Sequence, residues 1–358
     1  MMLGMTTFQP WWHPAAFARR KPFLDIRQRA MTALRGYFAR EGFAEVETPA
    51  LQTSPGGEVH LHAFATKWKG PRPGEARRLY LHTSPEFTMK KLLVAGVPRL
   101  YQFAHVFRNG ERSSQHHPEF MMLEWYRANA TTKDIMKDCE AMIRDAAEAS
   151  GRKRFSANGV TCDPFREWER LGVAEAFEKY VGIDILATAP HPQLPELELL
   201  APLAKRAGVH VGNGDTWDDL FFRIMGEKIE PYLGKDKPTF LCDYPISTAA
   251  LARPNPKDPR LAERFELYMC GIELANAFGE LTDAKEQKRR LAADMAAKQK
   301  LYGDSWPVDE DFIAALTFGM PASAGIALGV DRLIMLCAGA SEIEDVLWAP
   351  VALEGGGL

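Results

Sequence analysis

Apolar residues recur along this chain with two periods, and the switches between them mark the elements. Leu24, Met31, Leu34 and Phe38 fall near one face of a 3.6-residue repeat, and Gly42 follows as a stop. That spacing predicts a helix over 23–41. Residues 1–22, with Pro10, Pro14 and the adjacent Trp11 and Trp12, keep neither period and are expected to pack as an N-terminal arm. In "FAEVETPAL" Phe43, Glu45 and Glu47 alternate with Ala44, Val46 and Thr48 until Pro49 ends the strand. "ARRLYLHT", "RLYQFAHVFR" and "FMMLEWYRA" also read as strands, with a helix-like "PEFTMKKLLVAG" between the first two and a helix over 132–150. The stretch from 151 to about 238 is rich in Pro and Gly and reads as a mostly helical insertion, with helices near 166–180, 195–207 and 216–231. "TFLCDYPI" and "ERFELYMCGIELANAF" read as strands, a charged helix covers about 281–301, and "GIALGVDRLIMLCAG" turns from strand to helix. The sum predicts an α+β fold: an antiparallel sheet flanked by helices, in a single domain over 1–358.

Composition narrows the class. The chain has 358 residues, 46% hydrophobic and 25% charged, an ordinary globular balance. Lys+Arg 44 against Asp+Glu 47 leaves −3, which lacks the basic footprint of a dedicated nucleic-acid binder. Cys139, Cys162, Cys242, Cys270 and Cys337 are odd in number and form no C-x-x-C pair, so free thiols in a reducing compartment are expected. No apolar run is long enough to span a bilayer, and the first residues lack a basic n-region before an apolar h-region. A cytoplasmic location and no membrane partner follow as expectations. His60 and His62 in "HLH" read as a strand-like surface piece, since no further metal ligands stand at suitable spacing.

The candidate chemistry starts in "FRNGERSSQHHPEFMMLEWYRA", residues 107–128. Period two puts Gln102, Ala104, Val106 and Arg108 on one face of the first strand. It puts Phe120, Met122, Glu124 and Tyr126 on one face of the second, with Met121, Leu123 and Trp125 opposite. A guanidinium, an aromatic ring, a carboxylate and a phenol would then share a surface. Arg108 can fork onto a phosphate or carboxylate, Phe120 can stack on a base, Glu124 can pair with an ammonium, and His116 and His117 can reach outer phosphates. A salt-bridged strand pair with a solvated loop would read the same way in this fragment. "RFELYMCGIELANAFGELTD" adds Glu266, Glu273, Asn276 and Glu280. Carboxylates among apolar residues are costly unless they meet cations, and Mg²⁺ brought by ATP suits oxygen ligands. Glu266 and Glu273 would lie on opposite faces of one regular strand, so a bulge is expected at Gly271. Arg332 falls in the first turn of the last helix, where backbone amides and the dipole favour an anion.

Taken in order, three segments resemble the motifs of class II aminoacyl-tRNA synthetases: "GFAEVETPAL" motif 1, "FRNGERSSQHHPEF" motif 2 and "AGIALGVDRL" motif 3. "TSPEFTMKKLLVAG", "MMLEWYRA" and "GIELANAFGELTDAKEQ" resemble the lysyl branch. The resemblance covers about residues 25–345. Lysyl-tRNA synthetases carry an N-terminal OB-fold, and the short stretch before the motif 1 helix is not expected to form one. The chain is therefore similar to the truncated paralogues that ligate (R)-β-lysine to elongation factor P.

That resemblance implies ATP and Mg²⁺ as cofactors, lysine or (R)-β-lysine as small substrate, elongation factor P as protein partner, and a homodimer. It implies no tRNA role. Arg108 and Arg332 match the catalytic arginines, on the α- and γ-phosphates. Asn109, Gly110, His116, His117, Phe120, Glu273, Leu274 and Gly329 match the remaining ATP site, and Glu266 and Glu273 the Mg²⁺ ligands. Ser84, Pro85, Glu86, Glu124, Tyr126, Asn276, Glu280 and Ala327 match the substrate pocket, with Glu86 and Glu280 toward amines. Three positions depart from the pattern. Gly110 stands where relatives have a carboxylate that reads adenine, with Glu111 next to it. His117 replaces an asparagine, and Ala327 replaces the first inner glycine of synthetases. The alternatives are a stand-alone lysyl-adenylate enzyme acting on tRNA or a small molecule, and a silent amino-acid sensor.

Overall fold

The computed structural model describes residues 10–352. In chain order the elements are α1 (Pro14–Arg40), β1 (Ala44–Glu45), β2 (Leu51–Gln52), β3 (Ala65–Lys69), β4 (Ala76–Leu81), α2 (Glu86–Val94), β5 (Arg99–Phe107) and β6 (Glu119–Ala128). There follow α3 (Thr132–Ser150), β7 (Phe155–Ala157), β8 (Val160–Cys162), β9 (Glu169–Gly172), α4 (Val173–Val181), α5 (Leu197–Arg206) and α6 (Trp217–Ile224). The last third comprises β10 (Thr239–Cys242), β11 (Arg264–Met269), β12 (Ile272–Gly279), α7 (Ala284–Tyr302), α8 (Glu310–Gly319), β13 (Ser323–Gly329), α9 (Val330–Ala338) and α10 (Ile343–Val346).

Eight strands form one sheet in the order β1-β5-β6-β13-β12-β11-β10-β9. The six inner strands are antiparallel, and only the edge pairs β1–β5 and β9–β10 are parallel. The expected α+β class is borne out. The alternation in β6 sorts the two faces. Leu123 and Trp125 point into a core with Leu34 and Phe38 of α1, Ile143 of α3 and Ile334 of α9. Tyr126 packs on the other side with Phe87 and Leu93 of α2 and Phe312 of α8. Residues of α4–α6 build their own core around Phe177, Trp217 and Phe221, against Leu241 and Tyr268 of the sheet.

Local signals explain where the helices begin and stop. The Asp134 carboxylate accepts from the Thr131 amide at 3.0 Å, a capping box that starts α3, and Gly151 ends it in the left-handed region at φ 76°. The reading of 14–22 as an arm is corrected: these residues are helical. His13 Nδ1 accepts from the Ala15 amide at 3.2 Å, and Pro14 occupies the first turn, where its missing N–H costs nothing. Pro22 sits inside the helix because packing overrides it. Arg20 donates to the Leu347 carbonyl and Arg27 reaches Asp331 at 2.5 Å, so this turn is tied to the C-terminal segment. The part of the expected arm before residue 10 lies outside the described residues.

Two further expectations change. The helix predicted near 166–180 opens with strand β9, which joins the sheet edge. The one predicted over 216–231 is α6 followed by a wider π-type turn at Met225–Ile229. Strand β3, the hairpin β7–β8 and helix α8 were not legible in the periodicity. His60 and His62 lie in a loop, not a strand, and pack against Tyr302.

Asp138, buried under α3, is the polar anchor of the core. Its carboxylate accepts from Tyr37 at 2.6 Å, Trp125 at 3.1 Å and Arg127 at 2.7 and 2.6 Å. Removing it takes the acceptor from buried Tyr37 and Trp125 and two hydrogen bonds from the part-buried Arg127. Asp138→Ala is expected to cost about 3–5 kcal/mol, read as a lower urea midpoint; a loss below about 1 kcal/mol would contradict this account.

Candidate active site

A cleft of about 480 Å³ opens on the sheet face opposite the main core, roofed by the loop that carries Gly56–Leu61. The cross-strand register supplies its floor. Gln102 pairs with Glu124, Ala104 with Met122 and Val106 with Phe120, so the expected shared face of β5 and β6 is correct. Glu124 pairs across β13 with Ala327, and Ala327 with Asn276 of β12. One row across three strands therefore runs Glu124, Ala327, Asn276. The Ala327 methyl lies between two polar side chains, where glycine would leave more room.

The expected bulge is in the wrong place. Glu266 and Glu273 do not share a strand. Cys270 and Gly271, at φ 55° and 70°, form the tight turn of a β11–β12 hairpin, the conformation that a two-residue hairpin loop demands. The irregularity falls after it: Leu267 pairs with Ala275 but Tyr268 with Glu273, which leaves Leu274 as the extra residue. That bulge rotates Glu273 onto the face that carries Asn276 and Glu266.

The carboxylates fall into two groups. In the first, the Glu266 carboxylate accepts from Tyr244, from Tyr268 at 2.6 Å and from Arg264 at 2.6 Å. Burial and the charge of Glu266 push Glu273 up to about 7, and the same causes push Glu230 up to about 7. In the second group, Glu124 accepts from Ser84, and from Tyr126 at 3.0 Å. Burial and then the charge of Glu86 push it up to about 8. Glu280 is pushed up to about 7, chiefly by burial. Lys90 is wholly buried between Glu86 and Glu280, 2.6 Å from Glu280. Burial alone would lower its pKa, but the two carboxylates outweigh it and hold the ammonium charged. Gly325 makes room for this cluster, because a Cβ there would overlap the Tyr126 ring.

The guanidiniums face these acids across the cleft. Arg108 lies 5.1 Å from the Phe120 ring, and its buried Nε has no partner among the described residues. Arg332 donates to the Glu273 carbonyl at 2.9 Å, the Gln115 carbonyl at 3.3 Å and His116 Nε2 at 2.6 Å. His116 must then accept there, and its Nδ1–H donates to Ser113 at 2.8 Å. Burial and Arg332 lower its pKa, so the ring is neutral. His117 spends both ring nitrogens on the backbone, at Glu119 (2.6 Å) and Val351 (3.2 Å).

Most residues named from the sequence line this cleft, including Ser84, Glu86, His116, His117, Leu274 and Gly329. Glu124, Tyr126 and Glu280 lie just beneath its wall. Pro85 caps α2, and the Asn109 amide is tied to the His62 carbonyl at 2.7 Å. Gly110 stands at a loop tip at φ 87°, away from the cleft, whereas Glu111 lines it. Sequence reasoning missed Lys90, Arg264 and Glu58. Lys90 stands four residues after Glu86 on a helix, and Arg264 two before Glu266 on a strand, so both spacings were readable. Glu58, on the roof, gave no signal.

The donor set fits a hard cation beside phosphates. Glu273 accepts no side-chain hydrogen bond among the described residues and is repelled by Glu266, which a divalent ion would relieve. No group of three or more His, Cys, Asp or Glu residues that could hold a metal ion is present among the described residues.

An antiparallel sheet that presents the motif 2-like and motif 3-like segments around one cleft, with the motif 1-like segment at its edge strand β1, defines the catalytic domain of a class II aminoacyl-tRNA synthetase. Residues 16–352 match the family tRNA synthetases class II (D, K and N), and the chain belongs to it. Among its relatives are proteins named elongation factor P–(R)-β-lysine ligase. That of Enterobacter sp. (strain 638) is 37% identical over 336 residues, 94% of this chain and 96% of the relative. That of Salmonella paratyphi A is 39% identical over the same shares, and that of Yersinia enterocolitica 38% over 342 residues, 95% and 97%. No helix among the described residues is long and apolar enough to cross a membrane.

The raised carboxyls carry a sign. A carboxyl whose folded pKa lies above its unfolded value holds its proton more tightly when folded, so its contribution to stability is lost as pH rises toward the folded value. From Glu124, Glu273 and Glu280, the ligand-free protein is expected to lose thermal stability as pH rises from about 4.5, the ordinary carboxylate value, to about 8. Melting curves that stay flat or rise across that window would contradict the burial of these groups.

Proposed function

We propose that this protein activates (R)-β-lysine, or lysine, with ATP and transfers it to a lysine side chain of elongation factor P. The observation that carries the reading is a cleft lined by Arg108, with a buried Nε unpartnered among the described residues, and by Glu86, with the buried carboxylates Glu124 and Glu280 behind its wall. A diamino acid has a carboxylate for the first and ammonium groups for the second. The three carboxylates carry only one internal lysine, so an incoming cation is favoured.

The substrate carboxylate oxygen attacks the α-phosphorus of ATP. Pyrophosphate leaves and an aminoacyl-adenylate forms. An amine of the acceptor then attacks the acyl carbon, and AMP leaves. No side chain forms a covalent intermediate. Arg108 orients the carboxylate against the α-phosphate and offsets the charge gathering there, and Phe120 offers its ring to adenine. Arg332, fixed by Gln115, His116 and Glu273, takes the outer phosphates. Glu273 and Glu266 would hold Mg²⁺, which when bound neutralises phosphate charge. Glu111, which lines the cleft where Gly110 does not, is the carboxylate available to the adenine amino group.

The relatives' names support the acceptor, and the test is direct. Purified elongation factor P is incubated with this protein, Mg²⁺–ATP and (R)-β-lysine, and its intact mass is measured. A gain of one lysyl unit that requires ATP is expected. Arg108→Ala should slow adenylate formation by about 10²–10³-fold, the loss typical of one oxyanion-type donor. Pyrophosphate release without a mass gain would redirect the acceptor to tRNA or a small molecule. Neither product would favour the silent sensor.

The motif 1 resemblance of the α1–β1 segment supports a two-fold homodimer. Light scattering at micromolar concentration should give twice the chain mass; a monomer refutes it.

A further inference from the structure

Arg264 opens β11 and has no role in the reading above, yet it lines the cleft and is only 9% exposed. Its guanidinium reaches three partners. Nε donates to Asn276 Oδ1 at 3.1 Å, one terminal nitrogen donates to Glu266 at 2.6 Å, and the other to the Thr248 carbonyl at 2.5 Å. The group lies 4.2 Å from the Tyr244 ring centroid, and the Tyr244 hydroxyl donates to Glu266 in turn. Glu266 and Asn276 are themselves a cross-strand pair.

This arrangement fixes chemical polarity as well as position. Arginine has donors only, so the Asn276 amide must turn its oxygen toward Arg264. The nitrogen is what remains for the cleft, and it makes no other hydrogen bond among the described residues. Asn276 thus turns its amide donor toward a substrate oxygen, while Arg264 takes one of the two lone pairs on its Oδ1. On the other side, Glu266 has Oε2 taken by Tyr244 and Tyr268 and Oε1 gripped by Arg264, which leaves one direction on Oε1 for a further partner.

We propose that Arg264 is a positioning residue that sets both halves of the site at once, orienting Asn276 toward the amino acid and Glu266 toward the nucleotide. The inference rests on the role proposed above for Glu266 and on the substrate-pocket position that the family resemblance implies for Asn276. A planar fork is required, because three acceptors lie around one guanidinium. A lysine ammonium in the same space is a point donor and cannot span them.

The test is steady-state pyrophosphate release by the full chain with ATP and (R)-β-lysine. Arg264→Lys is expected to raise the KM of both substrates about 10–100-fold, the usual cost of losing a group that orients ligands. Asn276→Asp keeps an acceptor for Arg264 but removes the donor, so only the amino-acid KM should rise. A merely structural role would lower the active fraction, cutting kcat and the melting temperature while both KM values stay put. Arg264→Lys with either KM within about twofold of the wild type overturns the proposal. Should that variant not fold, Asn276→Asp decides: an unchanged amino-acid KM, or an equal rise for ATP, overturns it. Undiminished adenylation by Arg108→Ala would overturn the underlying site reading instead.

Discussion

Burying like charges beside one another is the constraint around which this site is organised. Glu124, Glu273 and Glu280 stand inside a sheet face, each pushed far above the ordinary carboxylate range by desolvation first and neighbouring acids second. Such an arrangement stores repulsion that only protons or cations relieve. Lys90 relieves part of it permanently, at Glu86 and Glu280. Protons held by the raised carboxyls relieve the remainder in the ligand-free protein.

The sheet makes this arrangement possible by fixing which side chains share a row. Glu124, Ala327 and Asn276 align because β6, β13 and β12 pair without slip at that point. Two residues away along β12, the bulge at Leu274 changes the phase of the strand and delivers Glu273 to the same face. Glycine at 325 is a steric requirement of the same design, since Tyr126 and Glu280 fill the volume that a side chain would take.

Helix α1, strand β6 and helix α9 meet at Asp331. Its carboxylate accepts from Arg27 of α1 at 2.5 Å and from the Met121 amide of β6 at 2.8 Å, while its neighbour Arg332 holds the Gln115–His116 loop. Helix α1, strand β6 and the start of α9 are thereby referred to one another through a single dipeptide. Displacing α1 would move the Gln115–His116 loop that lines the cleft.

The sequence by itself determined the strands β5 and β6, the helices α2 and α3, the shared face of Arg108, Phe120 and Glu124, and the family, because alternation, caps and ordered motifs are local properties of the chain. Candidate site residues such as Arg108, His116 and Glu266 were legible for the same reason. Tertiary structure decided the rest. The hairpin at Cys270–Gly271 and the bulge at Leu274 depend on register with β11, which no single strand encodes. That 14–22 continue α1 through Pro22 follows from Arg20 and Arg27 reaching residues more than 300 positions away. Lys90 and Arg264 stood at readable spacings, but charge pairs at such spacings are usually solvated. Only their burial against Glu280 and Asn276 turned two ordinary cations into parts of the site, because a partner's distance and dielectric exist only once the chain has folded.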